Sequence, residues 1–325
     1  MKHFRGEKRF YYGMSVLVLV FIIAGLTSNL EGGVRGNRQE KEAFDQKQEE
    51  VQTEQKNQGE ETQVVSNPNI RVLLMTDGYK NTIHPSVTVS STSGLSITYG
   101  ETVEECEAGM EVTFIPDDSR FQSGNIRIQA KEGEITVNSL KRGYGSPSYQ
   151  GILELRTTAE GIAIINELPV ENYLCRVVPS EMPSGYEIEA LKAQAVCART
   201  YAYRQIQGNT YGAYGAHVDD STSFQVYNNT QTNERTDQAV DETYGQLLTF
   251  DGEPIDAFYY STSCGHGADG SVWGNTGENL PYLRSMQIKN GARELTMEDN
   301  DTFDAYIRSR NITSYDAEYP MFRWQ

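Results

Sequence analysis

The chain has 325 residues, and its 45 Asp and Glu outweigh 28 Lys and Arg to give a formal net charge of −17 at pH 7. So acidic a chain repels polyanions, which argues against nucleic acid as a partner. The 20 tyrosines favour instead a surface that stacks on, and hydrogen-bonds to, uncharged sugar rings. Tyrosine is also common in β-rich cores, so composition alone gives this indication little weight.

The N-terminal part of the chain predicts three segments. Residues 1–9 form a basic tail, expected to be cytoplasmic. Residues 10–30 carry no charged side chain and approach the roughly 20 residues that cross a bilayer. We therefore expect a single-pass transmembrane anchor in the cell membrane, with the remainder on the extracytoplasmic side; a cleaved signal peptide is the alternative. Residues 31–68, rich in Glu, Gln and Lys, predict a disordered linker.

Residues 69–325 are expected to form one extracytoplasmic domain of the α+β class. About a hundred residues of short apolar runs, separated by Gly, Asn and Pro, precede a helical centre, and this order is typical of α+β rather than alternating βαβ folds. The predicted strands are 70–74, 86–99, 111–115, 125–130, 134–137, 151–156 and 162–167.

The central helix has sequence signals at both ends. Ser184 and Glu187 predict a capping box at its start, and Gly208 predicts its end after Gln207. Apolar residues recur at helical spacing between these limits, and their small size indicates close packing against a neighbouring element. They are Leu191, Ala195, Ala198 and Ala202.

One carboxylate, Glu181, lies between Pro179 and Pro183, on what is predicted to be a turn leading into the central helix. An acid at a fixed position, followed by a helix with cationic side chains, suits acid-catalysed cleavage of sugars. A capping acid at the helix entry is the alternative interpretation.

Several runs of the chain resemble the stage II sporulation protein D family (SpoIID/LytB), peptidoglycan lytic transglycosylases that are grouped with an amidase enhancer. The resemblance covers residues 70–325. The matching runs are Ser148-Tyr-Gln-Gly, Asn166-Glu-Leu-Pro-Val-Glu-Asn-Tyr-Leu, Ser180-Glu-Met-Pro, Ala190-Leu-Lys-Ala-Gln-Ala, Ala198-Arg-Thr-Tyr, Phe258-Tyr-Tyr-Ser-Thr-Ser and Pro281-Tyr-Leu-Arg-Ser.

The resemblance implies that Glu181 is the single catalytic acid. Its substrate would be peptidoglycan glycan strands without stem peptides, cut between N-acetylmuramic acid and N-acetylglucosamine to leave 1,6-anhydro ends. An amidase partner and a role in forespore engulfment are also implied. The residues expected to contact substrate are Lys192, Gln194, Arg199, Tyr282 and Arg284, with a role in the fold left open for Lys192 and Arg199.

The chain departs from the family pattern at two places. Some members hold zinc through cysteines in the segment matching residues 217–227, which has no cysteine here. No cofactor is therefore expected, and His217, Cys264 and His266 are only weak candidates for a zinc site. A Gly-His-Gly-Val-Gly-Met-Ser-Gln-like motif that family members carry further on is not found, so we expect a C-terminal part to be missing.

Acid catalysis near neutral pH requires a protonated Glu181, and hence a pKa raised by partial burial beside Met182. Ordinary glycoside hydrolysis needs a second carboxylate, for which Asp219 and Asp220 are the best candidates. The alternative function is a non-catalytic wall-binding protein that stimulates an amidase; a structural coat or adhesion protein is a distant third. Cys175 and Cys197 are expected to be unpaired thiols.

Overall fold

The computed structural model describes residues 67–273, 280–289, 299–309, 313–318 and 322. Strands dominate as far as residue 169 and helices follow, which is the α+β order that the sequence predicts. The strands are β1 (Asn69–Leu74), β2 (Val87–Ser90), β3 (Leu95–Tyr99), β4 (Thr102–Cys106), β5 (Val112–Phe114), β6 (Ile126–Ala130), β7 (Ile135–Val137), β8 (Ser148–Tyr149), β9 (Ile152–Thr158), β10 (Gly161–Pro169), β11 (Val218–Asp219), β12 (Thr249–Phe250) and β13 (Glu253–Pro254).

The main sheet has seven strands in the order β11-β1-β10-β9-β6-β3-β4. All its pairs are antiparallel except β1 with β11. Its interior strand β10 is buried at nearly every position, because helices cover one face and residues 211–217 cover part of the other. A second sheet of four strands, β5-β2-β7-β8, shares the same hydrophobic core.

Four helices lie within the described residues: α1 (Val170–Glu181), α2 (Ile188–Ile206), α3 (Glu234–Glu242) and α4 (Asn300–Arg308). Helix α1 buries residues at the i, i+3, i+4, i+7 and i+8 positions that give one apolar face. That face packs on β1 and β10, while α2 and α3 pack beside it. The predicted alanine stripe of α2 is fully buried in these contacts.

The boundaries of two helices differ from the sequence prediction. Helix α2 begins at Ile188 instead of Ser184, and Glu187 precedes it without a side-chain cap. Residues 183–186 form a turn in which Tyr186 N–H donates to the Pro183 carbonyl. Helix α1 was not predicted, because Val-rich sequence and an internal Pro179 both disfavour helix intrinsically. Burial against the sheet overrides these preferences.

The transmembrane part of the fold prediction is corrected. Within the described residues, every helix is too short or too polar to cross a bilayer. This finding contradicts the predicted transmembrane helix, the membrane contact that depends on it and the single-pass localisation. The residues assigned to the tail, anchor and most of the linker, 1–66, lie outside the described residues.

Candidate active site around Glu181

Glu181 is the last residue of α1, not part of a free turn. Pro179 lies within the final helical turn, and the chain leaves the helix at Met182 in an extended conformation. The carboxyl group therefore projects from the C-terminal end of one helix, before the turn that leads to α2. The alternative role as a capping acid for α2 does not fit this position, since Glu187 occupies the cap of α2.

Residues 221–229 pack over the end of α1 and hold the carboxyl group. The backbone N–H of Val226 donates to Glu181 Oε1 at 2.6 Å. Three residues further on, the N–H of Asn229 donates to Ser180 Oγ at 3.1 Å. Two successive side chains of α1 are thus held by one loop, which limits the rotamers open to Glu181.

The pKa of Glu181 is raised to about 7, and burial is the largest cause. The hydrogen bond from the Val226 N–H and the interaction with Tyr259 act in the opposite direction, because each stabilises the carboxylate. The causes found among the described residues include no charged side chain. The direction of this shift agrees with the expectation from sequence.

A chain of buried polar groups continues behind Tyr259. Gln225 Nε2 donates to the Tyr259 hydroxyl at 3.0 Å and to the Ala198 carbonyl at 3.3 Å. The Tyr173 hydroxyl donates to Gln225 Oε1 at 3.3 Å. Tyr173, Gln225 and Tyr259 are almost completely buried, so these bonds form in the protein interior, where a polar group without a partner is costly.

The two candidates for a second carboxylate, Asp219 and Asp220, both form hydrogen bonds or ion pairs with other groups. Asp219 accepts hydrogen bonds from the backbone N–H and the hydroxyl of Ser221, at 2.8 and 2.7 Å. Asp220 is fully buried and forms an ion pair with Arg142, whose Nε lies 3.0 Å from Oδ2. Burial raises the pKa of Asp220 to about 6, and Arg142 opposes that shift.

The predicted substrate contacts on α2 do not all reach the surface. Arg199 is fully buried, and its guanidinium forms a bidentate pair with Glu171 at 2.7 and 2.8 Å. It also donates to the Val240 carbonyl at 3.1 Å, so it joins α1, α2 and α3. This position corresponds to the fold role that the sequence left open, and it offers no surface for a sugar.

Lys192 and Gln194 differ sharply in their surroundings. Lys192 is partly exposed and pairs with Glu189 and Glu242 at 2.8 and 2.6 Å. Gln194 is fully buried, and neither its oxygen nor its nitrogen has a hydrogen-bond partner among the described residues. Substrate contact stays a prediction for both residues.

Tyr282 and Arg284 lie in the C-terminal part of the described chain. The Tyr282 hydroxyl accepts from the Asp256 N–H at 3.1 Å, and its ring packs against Phe250. Arg284 is exposed, and its Nε donates to the Pro281 carbonyl at 3.2 Å. Their role in substrate contact stays a prediction.

The weak zinc candidates are held by other interactions. His217 Nδ1 accepts from the Arg71 N–H at 3.1 Å, and burial lowers its pKa. His266 Nδ1 lies 2.8 Å from the Gly267 carbonyl, and its ring contacts Tyr306. In the described ranges, no group of three or more His, Cys, Asp or Glu side chains is arranged to hold a metal. Cys175 and Cys197 are unpaired, and burial raises the pKa of their thiols to about 12 and about 11.

Sequence reasoning missed the Val226 N–H that holds the acid and the buried polar chain of Tyr173, Gln225 and Tyr259. Tyr173 and Tyr259 lie inside recognisable motif runs, and Gln225 is a polar residue between Phe224 and Val226. A polar side chain within an apolar run is a usable signal for a buried hydrogen bond. The contact of Val226 is made by its backbone, which no side-chain pattern reveals.

Comparison with known proteins identifies the family. Residues 158–250 match the family described as SpoIID, Stage II sporulation protein. This range begins in β9 and extends to β12, and it includes Glu181 with the loop that holds it. The chain thus carries a SpoIID domain over these residues, in agreement with its motifs.

Curated relatives support the same assignment. The chain is 32% identical over 189 residues to Stage II sporulation protein D of Bacillus subtilis (strain 168), which covers 51% of this chain and 53% of that protein. It is 34% identical over 137 residues to the Bacillus amyloliquefaciens protein of the same name, covering 38% and 39%. It is also 40% identical over 108 residues to the Amidase enhancer of B. subtilis, covering 33% and 14%. The chain thus spans about half the length of the first relative and less of the others.

Proposed function

We propose that this protein is a lytic transglycosylase that cleaves peptidoglycan glycan strands, with Glu181 as its single acid and base. The supporting observation is the state of the Glu181 carboxyl group. Burial raises its pKa to about 7, which keeps a donatable proton near neutral pH and still permits the carboxylate form. A group with these two accessible states suits a reaction in which the same residue first gives and then takes a proton.

The geometry also favours one oxygen of the carboxyl group as the proton carrier. Glu181 Oε1 accepts the Val226 N–H at 2.6 Å. The acid proton is then best placed on Oε2, because an oxygen that already accepts a short hydrogen bond is the poorer site for it. The loop contact therefore selects Oε2 as the donor atom.

The reaction proceeds in two proton-transfer steps. Glu181 donates its proton to the glycosidic oxygen, the bond from that oxygen to C1 of the muramic acid breaks, and positive charge develops on the ring. The C6 hydroxyl oxygen of the same sugar then bonds to C1, and its proton passes to the Glu181 carboxylate. The products are a free N-acetylglucosamine end and a 1,6-anhydro end, with no water consumed and the acid restored.

This scheme needs no second carboxylate. An attacking hydroxyl within the same sugar reaches effective molarities of about 10⁵ M or more, so it requires no separately activated water. Asp219 accepts a hydrogen bond from Ser221, and Asp220 pairs with Arg142. Both interactions support the single-acid scheme. The substrate class and a place in wall remodelling during sporulation are proposed on the family relationship.

The second candidate is a non-catalytic wall-binding protein that stimulates an amidase. The observation in its favour is the 40% identity over 108 residues to the Amidase enhancer. In either case an amidase is the proposed partner, since removal of stem peptides supplies the bare strands. The two candidates differ in whether the chain itself forms anhydro ends.

Product analysis separates the two functions. The full chain and its Glu181→Gln variant are incubated with peptide-free glycan strands, and the products are analysed by mass spectrometry for ends that lack one water. Glu187→Gln, at an exposed carboxylate six residues away, is the matched control. Anhydro ends from the wild type and from Glu187→Gln, but not from Glu181→Gln, are expected. Strand binding by all three proteins without any anhydro product would favour the amidase enhancer.

A further inference from the structure

Tyr227 connects the loop that holds Glu181 to the main sheet. It follows Val226, whose N–H donates to Glu181 Oε1 at 2.6 Å, and its own hydroxyl lies 2.7 Å from Oδ1 of Asn166 on β10. Tyr227 and Asn166 are both completely buried. The hydrogen bond between them therefore joins the acid-holding loop to an interior strand at a place that bulk water does not reach.

The direction of this hydrogen bond follows from the other contacts of Asn166. Its Nδ2 lies 2.9 Å from the Gln150 carbonyl and 3.2 Å from the Ile152 carbonyl, and a carbonyl oxygen can only accept a hydrogen bond. These two bonds use both N–H groups of the amide, so Oδ1 faces Tyr227 and the tyrosine hydroxyl is the donor. Loss of the hydroxyl would deprive a buried acceptor of this donor, which costs more than the loss of an exposed hydrogen bond.

The ring and the backbone of Tyr227 are held as well as its hydroxyl. The ring packs between those of Tyr149 and Tyr173, at centroid distances of 5.8 and 4.8 Å. The N–H of Tyr227 donates to the Asp220 carbonyl at 3.3 Å, which closes the loop on itself. Because Val226 and Tyr227 are neighbours in the chain, a fixed Tyr227 limits the directions in which the Val226 N–H can point.

We propose that Tyr227 is the positioning residue of the acid: its hydrogen bond to Asn166 fixes the loop on the sheet, so that the Val226 N–H meets the Glu181 carboxyl group at the end of α1. The catalytic consequence rests on the proposed function. In that reaction the Val226 N–H selects the oxygen that carries the acid proton and stabilises the carboxylate that remains after proton donation. A displaced loop would remove this donor from Glu181, and proton transfer would slow although substrate still binds.

Hydrogen exchange at single amides tests the positioning role without turnover. The full chain is labelled with ¹⁵N at valine, and NMR compares exchange of the Val226 N–H with exchange of the Val178 N–H within α1. In Tyr227→Phe we expect Val226 to exchange about tenfold faster relative to Val178 than in the wild type, a factor of the size expected for one lost hydrogen bond. A purely structural role would destabilise the whole domain and accelerate both amides equally, because both would then exchange through global unfolding.

Tyr149→Phe is the matched control. Tyr149 is a buried tyrosine that packs against the same Tyr227 ring, and its hydroxyl has no hydrogen-bond partner among the described residues. The ratio of the Val226 and Val178 exchange rates should therefore keep its wild-type value in this variant. An unchanged ratio in Tyr227→Phe, or an equal change in Tyr149→Phe, would overturn the assignment.

A second variant covers the case in which Tyr227→Phe does not fold. Placing 4-aminophenylalanine at position 227 preserves the ring and gives Asn166 a weaker donor, so the exchange ratio is expected to rise by only about threefold. A wild-type ratio in this protein would also contradict the role of Tyr227.

Kinetics connects the positioning role to the reaction. If the proposed function is correct, Tyr227→Phe should lower kcat about tenfold at constant KM, and an unchanged kcat would contradict the catalytic consequence. A wild type without anhydro products refutes the transglycosylase, while the exchange ratio still decides whether Tyr227 positions the loop.

Discussion

The backbone N–H of Val226 donates to Glu181 Oε1 at 2.6 Å, across 45 residues of sequence. The contact places a hydrogen-bond donor at the C-terminal end of α1, where the helix dipole already disfavours negative charge. Burial raises the pKa of Glu181, and this donor limits the rise. The pKa of about 7 therefore results from burial, which raises it, and from the Val226 hydrogen bond, which lowers it.

Glu181→Gln is expected to abolish anhydro-product formation while leaving the fold intact. The Gln side-chain oxygen can still accept from Val226, but the amide donates no proton to a leaving group. Positioned acid–base groups typically contribute 10²–10⁴-fold to a rate, so we expect a loss of about that size. The measurement is the initial rate of product release from peptide-free strands. A variant with more than a tenth of the wild-type rate would remove Glu181 from the mechanism.

Glu181 should also give the protein a recognisable pH dependence of stability. Because its pKa is raised in the folded state, the folded chain retains a proton that the unfolded chain loses above pH of about 4.5. Stability therefore falls as pH rises from about 4.5 to about 7, by at most about 3 kcal/mol for this group, and is constant above that.

The difference in unfolding free energy between Glu181→Gln and the wild type isolates this effect. Asp220 and other titrating groups contribute equally to both proteins and cancel. Urea denaturation at pH 5, 6, 7 and 8 should show that the unfolding free energy of the variant, relative to that of the wild type, increases up to about pH 7 and is constant above it. A difference that stays constant with pH would mean that folding does not raise the pKa of Glu181.

Arg199→Met is expected to cost about 3–5 kcal/mol of stability, because it leaves the buried Glu171 carboxylate without its ion pair. The double variant Arg199→Met with Glu171→Gln should recover part of this loss. Lys192→Met, at the partly exposed cation seven residues earlier in α2, is the control and should cost much less stability, because water screens its ion pairs. Chemical denaturation measures all three. Equal costs for Arg199→Met and Lys192→Met would contradict the fold role of Arg199.

Phe224 is a candidate for contact with a sugar, because it lies two residues before Val226, whose N–H donates to Glu181. It is partly exposed and packs on the Tyr211 ring, and two residues of chain place it within about 7 Å of Val226. If the proposed function is correct, Phe224→Ala should raise KM roughly tenfold, the equivalent of one lost aromatic contact. Phe224→Tyr should keep the wild-type KM, and a lower kcat at constant KM would argue against a sugar contact.

Local patterns predicted much of the β-rich part and the end of α2. Strands such as β1 and β9 alternate or cluster apolar residues between turn signals, and Gly208 directly follows the last turn of the helix. The start of α2 and the whole of α1 were missed. Ser184 and Glu187 have the residue types of a capping box, but residues 183–186 form a turn instead of the first turn of α2. Helix α1 was missed because it depends on burial of its apolar face against the sheet.

By itself, the sequence indicated the resemblance to SpoIID proteins, the α+β class and the candidate acid, since these depend on runs of neighbouring residues. Only the tertiary structure decided that Arg199 is a buried link between helices, that Asp219 and Asp220 are bonded to other groups, and that the Val226 N–H holds Glu181. The physical reason is that a pKa and a hydrogen-bond partner depend on burial and on groups distant in sequence. Val226 approaches Glu181 only once the loop and the helices have packed together.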